Sequence, residues 1–191
     1  MGVTATLKSL SQAENKIIKS YRIKRFIYIP SIFGENKLCY DKNLHIFIEK
    51  DNEYFKNLNE HILSSMEVLK EHKRPVLVFF ETKSTLMEFY NWSKLSINKD
   101  NIQIITEEVS KIPTERDMLI KRATISGQIT FLTSVFGRGT DFVCSDKNVI
   151  SNRGVHVVQT FFSKELSEEV QIQGRTARQG INTFFKRLVL N

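Results

Sequence analysis

The chain has 191 residues and a formal net charge of +7, and 41% of its residues are hydrophobic and 26% charged. This length and composition fit one globular domain with a buried core and exclude a chain that is disordered throughout. Its two cysteines, Cys39 and Cys144, lie far apart and form no CxxC pair, which argues against a disulfide scaffold or a zinc site. The apolar runs are too short to span a bilayer, and no signal-peptide pattern opens the chain, so we expect a soluble protein.

The first 70 residues predict secondary structure with weak signals, and the remainder does so with strong ones. Residues 26–29 and 45–48 indicate strands, and a long helix is expected from about residue 52 to 71. After residue 73, apolar and β-branched runs alternate with segments of helical spacing. These runs predict strands at residues 74–80, 101–106, 128–133, 154–160 and 183–190, and helices over 82–95, from 113 onward and over 164–173.

Strands that alternate with helices of about a dozen residues are typical of βαβ units and a mostly parallel sheet. No internal repeat or domain break interrupts the pattern, so the prediction is a single α/β domain over residues 1–191. In open parallel sheets, ligands bind outside the carboxyl ends of the strands. This rule directs attention to the loops that follow Thr133 and Thr160.

The loop after Thr133 has the sequence TSVFGRGTD. Gly137 and Gly139 flank Arg138, and glycine permits a close approach of the backbone to a ligand. Arg138 offers a planar donor for phosphate or carboxylate, Thr140 follows, and Asp141 can accept hydrogen bonds from a ribose hydroxyl. The alternative is a tight turn in which the arginine and the aspartate pair with each other.

The segment QIQGRTARQG, over residues 171–180, holds the second candidate site. Arg175 and Arg178 are three residues apart, so in a helix or turn they lie on one face, where two guanidinium groups can bind one polyphosphate. The alternative is a pair of solvated arginines at a helix end, where they interact favourably with the helix dipole. The two segments together, each after a strand of one sheet, are more specific than either alone.

GRGTD, followed about thirty residues later by QxxGRxxRQG, resembles motifs V and VI of RecA-like helicase motors, in the spelling found in SecA-type translocases. Further similarities occur in the expected order along the chain. They are GVTAT at 2–6, YIP at 28–30, RPVLV at 74–78, RGVHVV at 153–158 and FFKRL at 184–188. The resemblance implies the second motor domain of a SecA-type translocase, a three-layer αβα RecA-like domain of the P-loop NTPase superfamily.

The resemblance also implies roles for individual residues. In this family ATP binds with Mg²⁺ between two RecA-like domains, and the second domain reaches across with arginines. By position, Arg178 is then the arginine finger and Arg175 its companion on the γ-phosphate, with Gln171 and Gly174 beside them. Asp141 is then the ribose contact, and residues 137–140 form the loop that responds to nucleotide.

The chain departs from the family pattern in several places. It contains neither a GxxxxGKS/T motif nor an acidic DExD-like motif, so it has no phosphate-binding lysine and no hydroxyl for magnesium of the P-loop kind. Phe162 and Ser163 replace a charged stretch, and Ala177 stands where glycine is usual. We therefore expect half of an active site, in a fragment of a longer protein whose residues 1–24 lead in from a first motor domain. By itself this fragment is expected to be inactive.

Partners and location follow from the same resemblance. The expected partners are the first motor domain, an unfolded polypeptide cargo, and a membrane channel or anionic lipid, in the cytoplasm or an organelle stroma, with peripheral contact to the membrane permitted. Nucleic acid is not expected. Two alternatives stay open: the C-terminal domain of a superfamily 2 nucleic-acid helicase, which the basic charge also suits, and a non-catalytic RecA-like scaffold module. The charge also fits lysines that only solvate the surface.

Overall fold

A computed structural model describes residues 10–29, 37–67, 73–93, 99–108, 112–137, 139–174 and 183–190. The helices are α1 (Gln12–Ser20), α2 (Asp51–Met66), α3 (Lys83–Trp92), α4 (Pro113–Arg122), α5 (Lys147–Ser151) and α6 (Leu166–Gln173). The strands are β1 (Leu38–Cys39), β2 (Ile46–Glu49), β3 (Val76–Phe80), β4 (Ile102–Ile105), β5 (Ile129–Thr133), β6 (His156–Gln159) and β7 (Thr183–Leu190).

All seven strands belong to one sheet, in the order β1-β7-β6-β3-β5-β4, with β2 also paired to β7. Every pairing between these strands is parallel. From the central β3 the chain moves to β4 and β5 on one side, and then crosses to β6 and β7 on the other. The carboxyl ends of β5 and β6 therefore flank that of β3, at the point where the direction of winding reverses. A crevice at such a point is the usual ligand position in sheets of this kind.

Helices cover both faces of the sheet. As a result the central strand β3, which is apolar at every position, is completely buried. Val76, Val78 and Phe80 point to the face covered by α2 and α3. Leu77 and Phe79 point to the opposite face, where they pack with residues of α4, α5 and α6. The result is the predicted three-layer αβα domain, with one hydrophobic core on each side of the sheet.

Local signals explain where several helices begin. Thr82 precedes α3 and its side chain accepts a hydrogen bond from the backbone N–H of Thr85, which satisfies a donor that the helix leaves unpaired. Pro113 occupies the first turn of α4, where its missing N–H is not needed. These starts agree with the sequence-based prediction. Within the described residues, no helix is long and apolar enough to cross a membrane.

The sequence-based prediction was wrong near the amino terminus. Residues 26–29 form no strand, and they are exposed, so their apolar side chains were misread as a buried run. The prediction also missed α1, which a capping box between Ser11 and Glu14 begins, as well as the short β1 and α5. The predicted end of α2 at residue 71 lies outside the described residues.

A buried histidine, His156, and a half-buried one, His61, lie near the amino ends of β6 and β7. The ring centroids of His61 and His156 are 5.7 Å apart, and the basic groups of Arg74, Lys186 and His45 lie near His156. Burial, followed by the charge of Lys186, lowers the pKa of His61 to about 4. Burial and these cations also hold the pKa of His156 well below its ordinary value. Both imidazoles are therefore neutral in the folded protein at pH 7.

We expect the free energy of unfolding to decrease as the pH falls from about 6.5 towards 4. In the unfolded chain these histidines bind protons below their ordinary pKa of about 6.5. In the folded chain His61 binds a proton only near pH 4. His61 alone then contributes a loss of roughly 2 kcal/mol at pH 5. Urea unfolding of the wild type and the variant His61→Gln between pH 4.5 and 8 measures this, and the variant should show a shallower dependence. Identical pH profiles for the two proteins would contradict it.

Candidate functional site

The candidate site lies at the carboxyl ends of β3, β5 and β6. Hydrogen bonds tie these ends together: the hydroxyl of Ser134 donates to the carbonyl of Glu81 at 3.1 Å, and that of Thr160 donates to the carbonyl of Phe79 at 3.0 Å. The parallel register sets Phe80 opposite Thr133, and Phe79 opposite Gln159. The loops after Thr133 and Thr160 therefore leave the sheet at the same edge, as the sequence predicted.

The loop after β5 begins with a 3-10 turn over Ser134–Gly137 and is anchored by aromatic side chains. Phe136 and Phe142 are buried in the core on either side of the GRGTD segment. Gly139 has a φ of +69°, a conformation that favours glycine, and no atom of the described residues outside its chain neighbours lies within 4 Å of the position of a Cβ there. Two buried side chains, Phe136 and Phe142, thus anchor this short loop on both sides.

The predicted residues of this loop differ from one another in their exposure to solvent. Gly137 is buried, Gly139 and Asp141 are exposed, and Thr140 is half-buried. The carboxylate of Asp141 is therefore accessible to a ligand at this edge. Arg138 lies outside the described residues.

Gly137 forms the contact between the two candidate segments. A Cβ on Gly137 would lie 2.6 Å from Cγ1 and 3.1 Å from Cδ1 of Ile172, and Ile172 is a completely buried residue of α6. A larger residue at this position requires that the side chain of Ile172 or α6 itself shifts. The loop after β5 and the helix after β6 are therefore packed directly against each other.

The helix α6 carries the second segment to the same edge. It ends at Gly174, whose backbone N–H donates to the carbonyl of Val170, and both Gln171 and Gly174 are half-buried. Arg175 and Arg178 follow Gly174 in the sequence but lie outside the described residues. The structure thus packs the end of α6 against Gly137 through Ile172, whereas the nucleotide contacts of Gln171, Gly174 and the two arginines stay predictions.

A buried ion pair beneath α6 was missed by the sequence analysis. Arg187 of β7 is 3% exposed, and its Nη2 lies 3.1 Å from Oε1 of Glu169 on α6 and 3.2 Å from Oε1 of Gln159. The signal was present, since an arginine interrupts the apolar strand TFFKRLVL. A charge at a strand position that should be buried needs a partner, and only the fold shows which one.

The described residues suit one side of a nucleotide site better than a metal site. An exposed carboxylate, an open glycine at positive φ and a segment that leads to two arginines fit a ribose and phosphate groups. Among the residues that the structure describes, no group of three or more His, Cys, Asp or Glu side chains is placed to hold a metal ion.

Comparisons with known proteins agree with this geometry. Residues 54–180 match the model of the helicase conserved C-terminal domain. The protein translocase subunit SecA of Azobacteroides pseudotrichonymphae is 28% identical over 138 residues, which cover 69% of this chain and 12% of that protein. SecA 2 of Bacillus thuringiensis is 26% identical over 184 residues, which cover 94% of this chain and 21% of that protein. The chain thus spans only a small part of the length of these relatives.

Solved structures show the same fold at low sequence identity. The C-terminal domain of the DEAD-box protein Dbp5 gives a TM-score of 0.55 at 19% identity, over 78% of this chain and 76% of that one. DEAD-box helicase domain 2 of Mss116p, bound to an RNA duplex, gives a TM-score of 0.52 at 20% identity, over 75% of this chain and 53% of that one. The RecA-like fold is shared with these domains. Since the family model covers more than half of the sequence, the chain belongs to the family of helicase conserved C-terminal domains.

Proposed function

We propose that this chain is the second motor domain of a SecA-like, ATP-driven protein translocase. The observation that carries the proposal is the packing of Gly137 against Ile172, which joins the GRGTD loop to the helix that leads into GRTARQG at one edge of the sheet. That edge is where a RecA-like sheet binds its ligand. The likeness to SecA proteins along 94% and 69% of the chain supports a translocase over other motors of the same fold.

The residues of this edge have complementary roles in the proposal. Asp141 accepts hydrogen bonds from the ribose, and Gly139 lets the backbone approach the nucleotide. Arg175 and Arg178 donate to the γ-phosphate, and Arg178 stabilises the negative charge that develops during phosphoryl transfer. ATP with Mg²⁺ supplies the transferable phosphoryl group, and a first motor domain holds most of it, since this chain has no P-loop lysine.

The Gly137–Ile172 contact also gives the domain a way to transmit a response. The loop and α6 cannot shift independently, because the backbone of Gly137 and the side chain of Ile172 leave no space between them. A change at the ribose contact is then passed to the arginine-bearing segment, and the reverse. In a motor this coupling links closure of the cleft to movement of the cargo, here an unfolded polypeptide.

Three observations support a second candidate function, that of a nucleic-acid helicase. The chain belongs to the helicase C-terminal family, and the fold of a DEAD-box domain bound to RNA matches it. The net charge of +7 also suits a polyanion. The SecA spelling of both motifs favours polypeptide as cargo.

Replacement of Arg178 by alanine should abolish most of the ATP turnover of a protein that carries this chain together with a first motor domain. Loss of an arginine finger costs roughly 10³-fold or more in kcat, because charge on the transferred group is left without a donor. Steady-state hydrolysis, with and without unfolded polypeptide, measures this. Arg116→Ala, which removes an exposed arginine of α4, is the matched control and should leave turnover unchanged.

The same assay separates the alternatives. Stimulation by unfolded polypeptide and not by single-stranded RNA or DNA supports the translocase. Stimulation by nucleic acid supports the helicase. An absence of turnover in the wild type supports a scaffold, and robust turnover by the isolated 191-residue chain would contradict the half-site.

Replacement of Gly137 by alanine should destabilise the domain by roughly 1–3 kcal/mol, because the new methyl group meets Ile172 at a distance that real Cβ atoms do not adopt. Thermal or urea unfolding measures the change. Val135→Ala, at an exposed position of the same turn, should cost much less. In an Ile172→Ala background the cost of Gly137→Ala should nearly vanish. Additive effects of the two substitutions would show that the contact does not couple the loop to α6.

A further inference from the structure

Arg187 is a buried charged residue in the middle of a strand, and aromatic rings surround its guanidinium group. It lies in the middle of β7, between β2 and β6, where its neighbours in register are Ile46 and Gln159. Its guanidinium carbon lies 5.3 Å from the ring centroid of Phe162 and 5.8 Å from that of Phe185. A cation at such distances from aromatic faces is attracted to them. The charge is thus held between two rings, inside the domain.

The partner of this charge is on the helix that bears the second motif. Oε1 of Glu169 lies 3.1 Å from Nη2 of Arg187 and also accepts a hydrogen bond from Nε2 of Gln173 at 3.1 Å. The side chain of Glu169 is 15% exposed, so water competes little with the ion pair. Gln159 accepts from the same Nη2 and donates to the hydroxyl of Ser163. One guanidinium therefore connects β6, the loop after it and α6.

The helix α6 is short and buries few of its own residues. The helix has eight residues, its preceding residue makes no side-chain cap, and only Ser167 and Ile172 are buried along it. Leu166 and Val170 are exposed. A helix this short is not stable without tertiary contacts. Two anchors of α6 among the described residues are Ile172 against Gly137 near its end and Glu169 against Arg187 in its middle.

We infer that Arg187 is a positioning residue that holds α6, through Glu169, in its place at the carboxyl edge of the sheet. Arginine suits the task, since its planar group contacts two acceptors while it stacks on aromatic rings, which the compact ammonium of lysine cannot do. The guanidinium lies over the ring of Phe162, and Gln159 links it to the hydroxyl of Ser163. The consequence for turnover rests on the proposed function, whereas the consequence for α6 does not.

Hydrogen exchange of the 191-residue chain tests the positioning directly. In Arg187→Met and in the milder Glu169→Gln, amides of residues 166–174 should exchange at least about tenfold faster, whereas those of β3 and β5 stay protected. Lys83→Met, which breaks an exposed ion pair with Glu108, is the control and should change neither. Unchanged exchange in α6, or faster exchange across the whole sheet, would overturn the inference.

Kinetics of the protein that carries both motor domains test the consequence. Arg187→Met should lower the melting temperature by roughly 10 °C, because it leaves the buried Glu169 without its cation. The double variant Arg187→Met/Glu169→Leu should regain most of that stability, yet its kcat should stay at least about tenfold low, with KM changed less than about threefold. Arg187→Lys should rescue kcat only in part.

The outcomes distinguish this inference from the proposed function. Recovery of kcat together with stability in the double variant would show that Arg187 serves stability alone. If Arg178→Ala leaves turnover intact, the proposed function fails. Faster exchange confined to residues 166–174 would then still establish Arg187 as the residue that positions α6.

Discussion

The parallel register of β3 with both β5 and β6 is the constraint on which the rest of this structure depends. In a parallel sheet all strands end at the same edge, so two loops that are far apart in sequence leave the sheet beside each other. The register pairs Val76 with both Ile129 and His156, and it holds because β3 is buried on both faces. The GRGTD loop and the segment carried by α6 are neighbours for this reason.

The packing of Gly137 against Ile172 then couples the GRGTD loop to α6. Gly137 and Ile172 occupy a space in which one side chain fits and two do not. Interiors packed at this density respond to a displacement by moving together, since no free volume absorbs it. A glycine in this loop therefore has a second role besides access of a ligand to the backbone, which is to let α6 lie against the sheet.

Two buried arginines, Arg74 and Arg187, place positive charge inside this domain. Arg74 is also buried, and it donates to the carbonyls of Arg153 and Gly154 and lies 4.9 Å from the ring centroid of Phe184. Arg187 and Arg74 are thus both cations that aromatic rings and oxygen acceptors stabilise. Arg187 lies beneath the helix α6 of the candidate site, and Arg74 lies beside the neutral histidines at the opposite end of the sheet.

The sequence by itself determined the class of the fold and most of its elements. The run VLVFF is apolar at every position and ITFLT is interrupted only by threonines, a pattern typical of strands covered on both faces, so β3, β5 and the helices between them could be predicted. The order of the motifs also determined the resemblance to RecA-like motors. Weak local signals failed where burial decides the outcome, since residues 26–29 have the composition of a strand and yet are exposed.

Only the tertiary structure decided which distant residues meet. Spacing along the chain places Gly137 and Ile172 35 positions apart, and nothing in either segment shows that one lacks a side chain because the other needs the space. The same holds for Arg187, whose charge inside an apolar strand announces a partner without naming Glu169. The local pattern of apolar residues indicates how a segment is buried, because each residue's own hydrophobicity determines whether it is buried. A contact depends on two segments at once, and the sheet topology determines which two segments meet.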